Sequence, residues 1–224
     1  MDPKDIILEV SKKIDSITYT DTPRSQRKVK DIISIGWENV LPNPPANTSD
    51  ITKKELQYLS SLTSRLDFRQ KELVKLVDKE PLDLFNSIIR KNDLKFDKES
   101  FRDLYYGTFD PVILNLKSKY NRARPDQLAP VFGMKVNVMT TDTHQTPAYP
   151  SGHTAYTAFA AYLLAAMYPD LSSSFFGRIG LAGYARCLQG VHYPSDNDAS
   201  MVISGALWEN VKYELYPELF PEKN

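Results

Sequence analysis

Apolar residues recur at intervals of three and four along most of this chain, the spacing of helices that bury one face. Residues 4–14 place Ile6, Ile7, Val10 and Ile14 on one side of a short helix. Thr22-Pro23 offers an opening for a second, carrying Val29, Ile32 and Ile33. Between Leu41 and Ser49, Pro42, Pro44 and Pro45 cannot continue a helix or a sheet ladder, so this stretch reads as a linker. Thr52, with Glu55 as capping-box partner, then starts a pattern through Leu56, Leu59, Thr63, Leu66, Leu73, Val74 and Val77 that runs to about Asp78.

Pro81 restarts a shorter helix ending near Ile89, and residues 98–109 turn Phe101, Leu104 and Tyr105 to one side. Asp110-Pro111 reads as an N-cap and N1 proline, opening a helix that must end before Pro125. Residues 126–150 keep no period, and loops of that length are usually functional or disordered. A stripe returns with Ala155, Tyr156, Phe159, Ala160, Leu163, Leu164 and Met167. Residues 172–187 form a further helix, small at Gly177, Gly180 and Gly183. A last one starts at Ser195, with Asp198 in capping-box position, and carries Val202, Ile203, Ala206, Leu207, Val211 and Leu215. No alternating run is longer than Lys135–Val138. The predicted class is all-α, a single-domain helical bundle. Residues 1–50 form a helical extension and Pro-rich linker packed on a core of residues 51–224.

Composition narrows the function. The 28 basic and 28 acidic residues split evenly: nine of each follow position 110, leaving 28 − 9 = 19 of each in residues 1–110. No global field recruits nucleic acid or an anionic membrane, so any cationic site is local. One such site exists, because Lys117, Lys119, Arg122 and Arg124 crowd into eight positions. The single cysteine, Cys187, excludes a disulfide framework and a multi-thiolate metal site. The charged start M-D-P-K-D lacks a signal-type apolar core, and the mainly apolar run Ala155–Met167 is shorter than the ~20 residues a membrane span needs. The expectation is a cytoplasmic protein without membrane spans.

Three stretches suit phosphate chemistry. In Lys117-x6-Arg124-Pro125, a point cation near a helix end and a planar fork just beyond it can converge on phosphate oxygens. In Pro150-Ser151-Gly152-His153-Thr154, a helix N-terminus offers backbone N–H groups, Ser151 a hydroxyl, Gly152 close backbone approach and His153 a proton. In Ala185–Asp196, Arg186 precedes His192 by six residues and Asp196 follows it by four. A neutral imidazole that attacks phosphorus needs one nitrogen free and the other held, and a carboxylate does the holding. Each stretch alone reads at least as well as ordinary structure: a solvated basic helix end, a Ser-capped helix, a core histidine. Together they hold two of the chain's three histidines.

The three motifs, in this order, resemble the K-x6-R-P, P-S-G-H and S-R-x5-H-x3-D pattern of the type 2 phosphatidic acid phosphatase and vanadium haloperoxidase superfamily. Every charged and histidine position matches; Ala185 stands where the family has serine. The Thr52 helix with Arg65 is also similar to the helix preceding the core in soluble members. The resemblance implies a helical bundle of the acid phosphatase and vanadium haloperoxidase type. Lys117, Arg124 and Arg186 would bind phosphate oxygens with Ser151 and the Gly152 amide. His192 would form a phosphohistidine oriented by Asp196, and His153 would protonate the leaving alkoxide and then activate water. His192 must be neutral while His153 is protonated, so the two titrate jointly. The implied activity is hydrolysis of small-molecule phosphomonoesters with no metal ion and no cofactor.

The alternative is a haloperoxidase holding vanadate in the same pocket. Bromide-oxidising members carry a histidine seven positions before the proton donor, where this chain has Thr146. A cysteine phosphatase would need arginine at position 193, which is tyrosine, so Cys187 reads as a buried bystander. No G-x-S-x-G elbow surrounds Ser151 to make a serine hydrolase. A zinc site of His144, His153, His192 and Asp196 would face repulsion from three cations. A catalytically retired scaffold would be expected to have lost one of the charged positions. Tyr149, Tyr156 and Tyr193 are candidate walls of the pocket, with His144 near its mouth. The first 50 residues either cover that mouth or form a homodimer contact.

Overall fold

The structure is a computed structural model that describes residues 3–20, 26–140 and 144–220. Its helices are α1 (Pro3–Asp15), α2 (Asp50–Leu62), α3 (Phe68–Lys79), α4 (Asn86–Lys91), α5 (Lys98–Thr108), α6 (Asp110–Tyr120), α7 (Pro125–Leu128), α8 (Gly152–Met167), α9 (Ser172–Leu188) and α10 (Pro194–Leu215). Short 3₁₀ turns join several of them, and among the described residues there is no strand, only an isolated bridge between Thr18 and Arg122. The chain is all-α.

Apolar all round, α8 is buried from Thr154 to Leu164 except at Tyr162 and stands at the centre. It packs along α9 and α10; α3 lies on α9, and α6 reaches both α5 and α8. The main core gathers Phe101, Tyr105, Phe109, Ile113, Phe159, Phe175, Ile203 and Trp208 among others. At Gly183 a Cβ would meet Asn197 at 3.1 Å, so glycine lets α9 and α10 close up, and the Asn197 amide donates to the Gly183 carbonyl at 3.1 Å. Ala185, where the family has serine, packs with Val77, Leu84 and Ala182 in a small apolar cluster.

Several expected boundaries move. The pattern from Thr52 to Asp78 is two helices, because Asp67 makes its own capping box with Gln70 and starts α3. Ser49 caps α2, accepting from the Thr52 N–H, and Glu55 is turned into the interior instead of closing a box. Tyr193 is the N-cap of α10, with Ser195 already in its first turn and Asp196 reaching back to the Tyr193 N–H. Asp110 opens α6 as its first residue, not as its cap. Residues 21–25 lie outside the described residues, and no helix forms over residues 26–36. There Val29, Ile32 and Ile33 pack singly on the main core, and Arg27 exchanges two backbone hydrogen bonds with the Asn115 side chain, each 2.9 Å. In α1 the predicted apolar side, Ile6, Ile7 and Val10, is exposed.

Candidate active site

The first turn of α10 organises the site. Pro194 presets the helix, which puts Asp196 one turn from His192. Asp196 Oδ2 lies 3.0 Å from His192 Nδ1 and accepts the Tyr193 N–H at 2.9 Å. These partners place the imidazole proton on Nδ1 and leave a lone pair on Nε2, which takes a bond from Arg124 Nη1 at 3.0 Å. The other oxygen of Asp196 accepts from Arg122 Nη1 at 2.6 Å. Arg122 also meets Ser195 Oγ at 2.8 Å and Glu55 Oε2 at 3.2 Å, and its guanidinium lies 3.8 Å over the Tyr193 ring. Glu55 completes the ring by accepting the Ser195 N–H and hydroxyl. All four charged or titratable groups, Glu55, Arg122, His192 and Asp196, are buried.

Lys117 and Arg124 come from the last turn of α6 and the extended residue before α7, with Asn121 stopping α6 in the left-handed region at φ 44°. Lys117 Nζ donates to the Pro147 carbonyl at 2.6 Å. Arg124 Nε donates to the Thr146 carbonyl at 2.9 Å and Nη1 to the Val191 carbonyl at 2.5 Å. Neither has a carboxylate within ion-pair distance among the described residues, unlike Arg122 and unlike Arg186, which meets Asp78 at 2.9 Å. Burial, then the Arg124 charge, holds Lys117 well below the usual lysine range. Burial, then Arg186, brings Arg124 down to about 10. Cations buried against neutral acceptors are costly to hold, and an incoming anion relieves that cost.

Ser151 holds the N-cap position of α8 without a side-chain capping bond, and Gly152 and His153 open the helix. The Ser151 N–H donates to the Asp196 carbonyl at 3.1 Å, tying α8 to α10. Its hydroxyl sits 3.0 Å from Thr154 Oγ1, which itself donates to Asn197, so in this state it serves the helix start. His153 Nε2 is 3.4 Å from the Asp78 carbonyl. Gly190 makes the turn between Arg186 and His192 at φ 77°, where a Cβ would come within 2.5 Å of the Asn137 carbonyl. Only glycine fits there.

Lys117, Arg124, Gly152, His153 and His192 line one cavity of about 300 Å³, whereas Ser151 and Arg186 are buried and not part of its lining. Of the tyrosines expected there, Tyr156 lines it. Tyr149 instead donates to the Pro42 carbonyl, and Tyr193 lies under Arg122. His144 is not on the wall either; its carbonyl faces Tyr19. Asp78, Tyr105, Tyr106 and Asp110 line the cavity although sequence spacing singled out none of them for it. Cys187 is buried, its thiol pushed up to about 12 by burial, in keeping with a packing role.

Both histidines are pushed towards neutrality. Burial and then Arg186 bring His153 from 6.5 to about 3; burial and then Arg124 and Lys117 hold His192 well below its ordinary value. A protonated His153 therefore depends on negative charge brought by a substrate. An unfolded chain binds a proton at His153 below about pH 6.5 and the folded one does so only near 3, so its contribution to stability is complete above 6.5 and is lost as pH falls towards 3. Thermal melts across that window should show a falling Tm, with a shallower fall for His153→Gln. Equal slopes for the two proteins would contradict this assignment.

The profile of the PAP2 superfamily matches residues 104–215, which is 112 of the 224 residues. The chain belongs to the PAP2 superfamily. The match takes in all three PAP2 motifs and leaves α2 and α3, which supply Glu55 and Asp78, outside it. Among solved structures, the apo form of a bacterial vanadium-dependent chloroperoxidase is similar with a TM-score of 0.62 and 15% identity, over 88% of this chain and 57% of that one. The holo form of such an enzyme gives 0.57 and 14%, over 90% and 56%. At that identity the likeness speaks for the fold, and this chain spans a little over half the length of those chloroperoxidases. No curated protein sequence matches significantly. Among the described residues, no helix is long and apolar enough to cross a membrane.

Proposed function

We propose that this PAP2 protein is a metal-independent phosphatase that hydrolyses phosphomonoesters through a phosphohistidine on His192. The observation that carries the reading is the pair of buried cations, Lys117 and Arg124, held by neutral acceptors beside His192 Nε2. A phosphoryl group entering there takes the Arg124 donor onto its oxygens, which frees the Nε2 lone pair. Nε2 then bonds to phosphorus as the ester P–O bond breaks, and His153 gives its proton to the departing alkoxide. The imidazolium formed at His192 keeps Nδ1–H on Asp196. In the second half His153 takes a proton from water, the hydroxide displaces Nε2, and inorganic phosphate leaves. Stabilisation comes from positioned cations and the α8 N-terminus.

The test is a phosphatase assay in excess chelator, with alkaline-quenched protein examined by mass spectrometry during turnover. Turnover with a phosphoryl group on His192 is the expected result. Activity that disappears with chelator, or a phosphoryl group on another residue, would refute the mechanism.

The structural likeness to chloroperoxidases favours a second reading. The unmatched cations suit vanadate equally: Lys117, Arg124 and Gly152 would hold its oxygens and His192 would bond to it. Bound there, vanadate supplies peroxide activation for halide oxidation. Thr146 lines the cavity at the position where bromide-oxidising members have histidine, and its carbonyl is spent on Arg124. Halide oxidation that requires added vanadate, measured beside the phosphatase assay, would decide for this reading.

A further inference from the structure

Beyond the oxyanion residues the cavity continues along one face of α6. Lys117, Leu114, Ile113 and Asp110 fall three, four and seven residues apart and all line it. Seven residues of helix span ~10 Å, so the wall passes from a cation, through two branched apolar side chains, to a carboxylate. A further part of its lining is aromatic. Tyr156 meets Tyr105 edge-on at 4.7 Å between ring centres and stacks on Tyr106 at 5.8 Å and 26°. The Tyr105 hydroxyl is buried and has no hydrogen-bond partner among the described residues.

We propose that this outer half is an aryl subsite, and that the ester taken is the monophosphate of an aromatic alcohol, not a di- or triphosphate. The inference rests on the phosphate-binding reading above. His153 and Tyr156 are three residues apart on the same face of α8, so an ester oxygen at His153 sets its carbon beside the Tyr156 ring. A planar ring there slides between Tyr156 and Ile113, and offset or edge-on contact with the tyrosines adds to the burial. A second phosphate would have to occupy the same space. It would exchange water for tyrosine rings and Ile113 and approach the Asp110 carboxylate. Lys79, which also lines the cavity, is exposed to solvent, so it offsets little of this.

The test is calorimetric titration of the full chain with inorganic phosphate, methylphosphonate, phenylphosphonate and methylenediphosphonate. None of these ligands is turned over, so binding is read apart from catalysis. Phenylphosphonate should bind about tenfold more tightly than methylphosphonate, and the diphosphonate no more tightly than methylphosphonate. Tyr106 is half-exposed, so Tyr106→Ala should fold. It should cut the phenyl preference to about threefold and leave the Kd for inorganic phosphate within about twofold. Equal affinity for the two monophosphonates, or tightest binding of the diphosphonate, would overturn the aryl subsite alone. Failure of every one of these ligands to bind would overturn the phosphate-binding reading beneath it.

Discussion

Turnover of a phosphomonoester by His192→Ala is expected to fall by about four to six orders of magnitude, as for other enzymes that lose a nucleophile. The residual rate reflects what the substitution leaves: Lys117, Arg124 and the α8 N-terminus still gather the oxyanion, but nothing takes the phosphoryl group. Binding should move the other way. Arg124 spends a donor on His192 Nε2 in the protein by itself, and losing that acceptor leaves the guanidinium to the ligand. The Kd for inorganic phosphate should therefore stay the same or tighten while kcat collapses. His153→Ala gives the internal comparison. With a leaving group as good as 4-nitrophenolate the first step needs no acid, so that variant should accumulate phosphoenzyme and turn over slowly. Unchanged turnover in His192→Ala would remove the nucleophile from the scheme, and a loss of phosphate affinity equal to the loss of kcat would make His192 a binding residue only.

The three motifs were legible because their chemistry sits in residue types that are rare here: two histidines out of three, and a dense run of cations in a half of the chain that has few. Their mutual placement follows from local rules, a left-handed stop after α6, the start of α8 at Gly152, and a glycine turn before α10. The supporting residues were not legible. Glu55 was assigned to a capping box because S/T-x-x-E is a local signal, yet its partners Arg122 and Ser195 are 67 and 140 residues away. Arg122 falls inside K-x6-R and looks like one more member of a basic cluster. Tyr105 reads as part of a helix stripe, since an aromatic that lines a cavity and one that fills a core have the same period, and Tyr106 falls outside that stripe. Residues 145–150 form no helix, and the backbone carbonyls of Thr146 and Pro147 there serve the cations instead. Spacing cannot encode such a use.

Arg122 carries the second large effect, and on stability before activity. It joins Asp196 and Glu55 with its side chain 2% exposed, between carboxylates 0% and 9% exposed. Burying a cation with two carboxylates is not itself strongly stabilising, because desolvation consumes much of the attraction. Removing only the cation is different. Arg122→Met leaves two buried carboxylates facing each other without water, and the expected loss is about 3–5 kcal/mol, read as a lower urea midpoint at unchanged m. Desolvation by burial already raises Glu55 above its ordinary value with Arg122 present, so in Arg122→Met it should take up a proton first and limit the damage. Glu55→Gln in the Arg122→Met background should then cost little or restore stability, whereas in the wild type it breaks a buried pair. That sign reversal is the signature of a shared charge. The surviving fraction of Arg122→Met should also lose kcat, because Asp196 loses the partner that fixes Oδ1 while Oδ2 holds Nδ1–H of His192. Additive effects of the two substitutions on stability would show that Arg122 and Glu55 merely fill space.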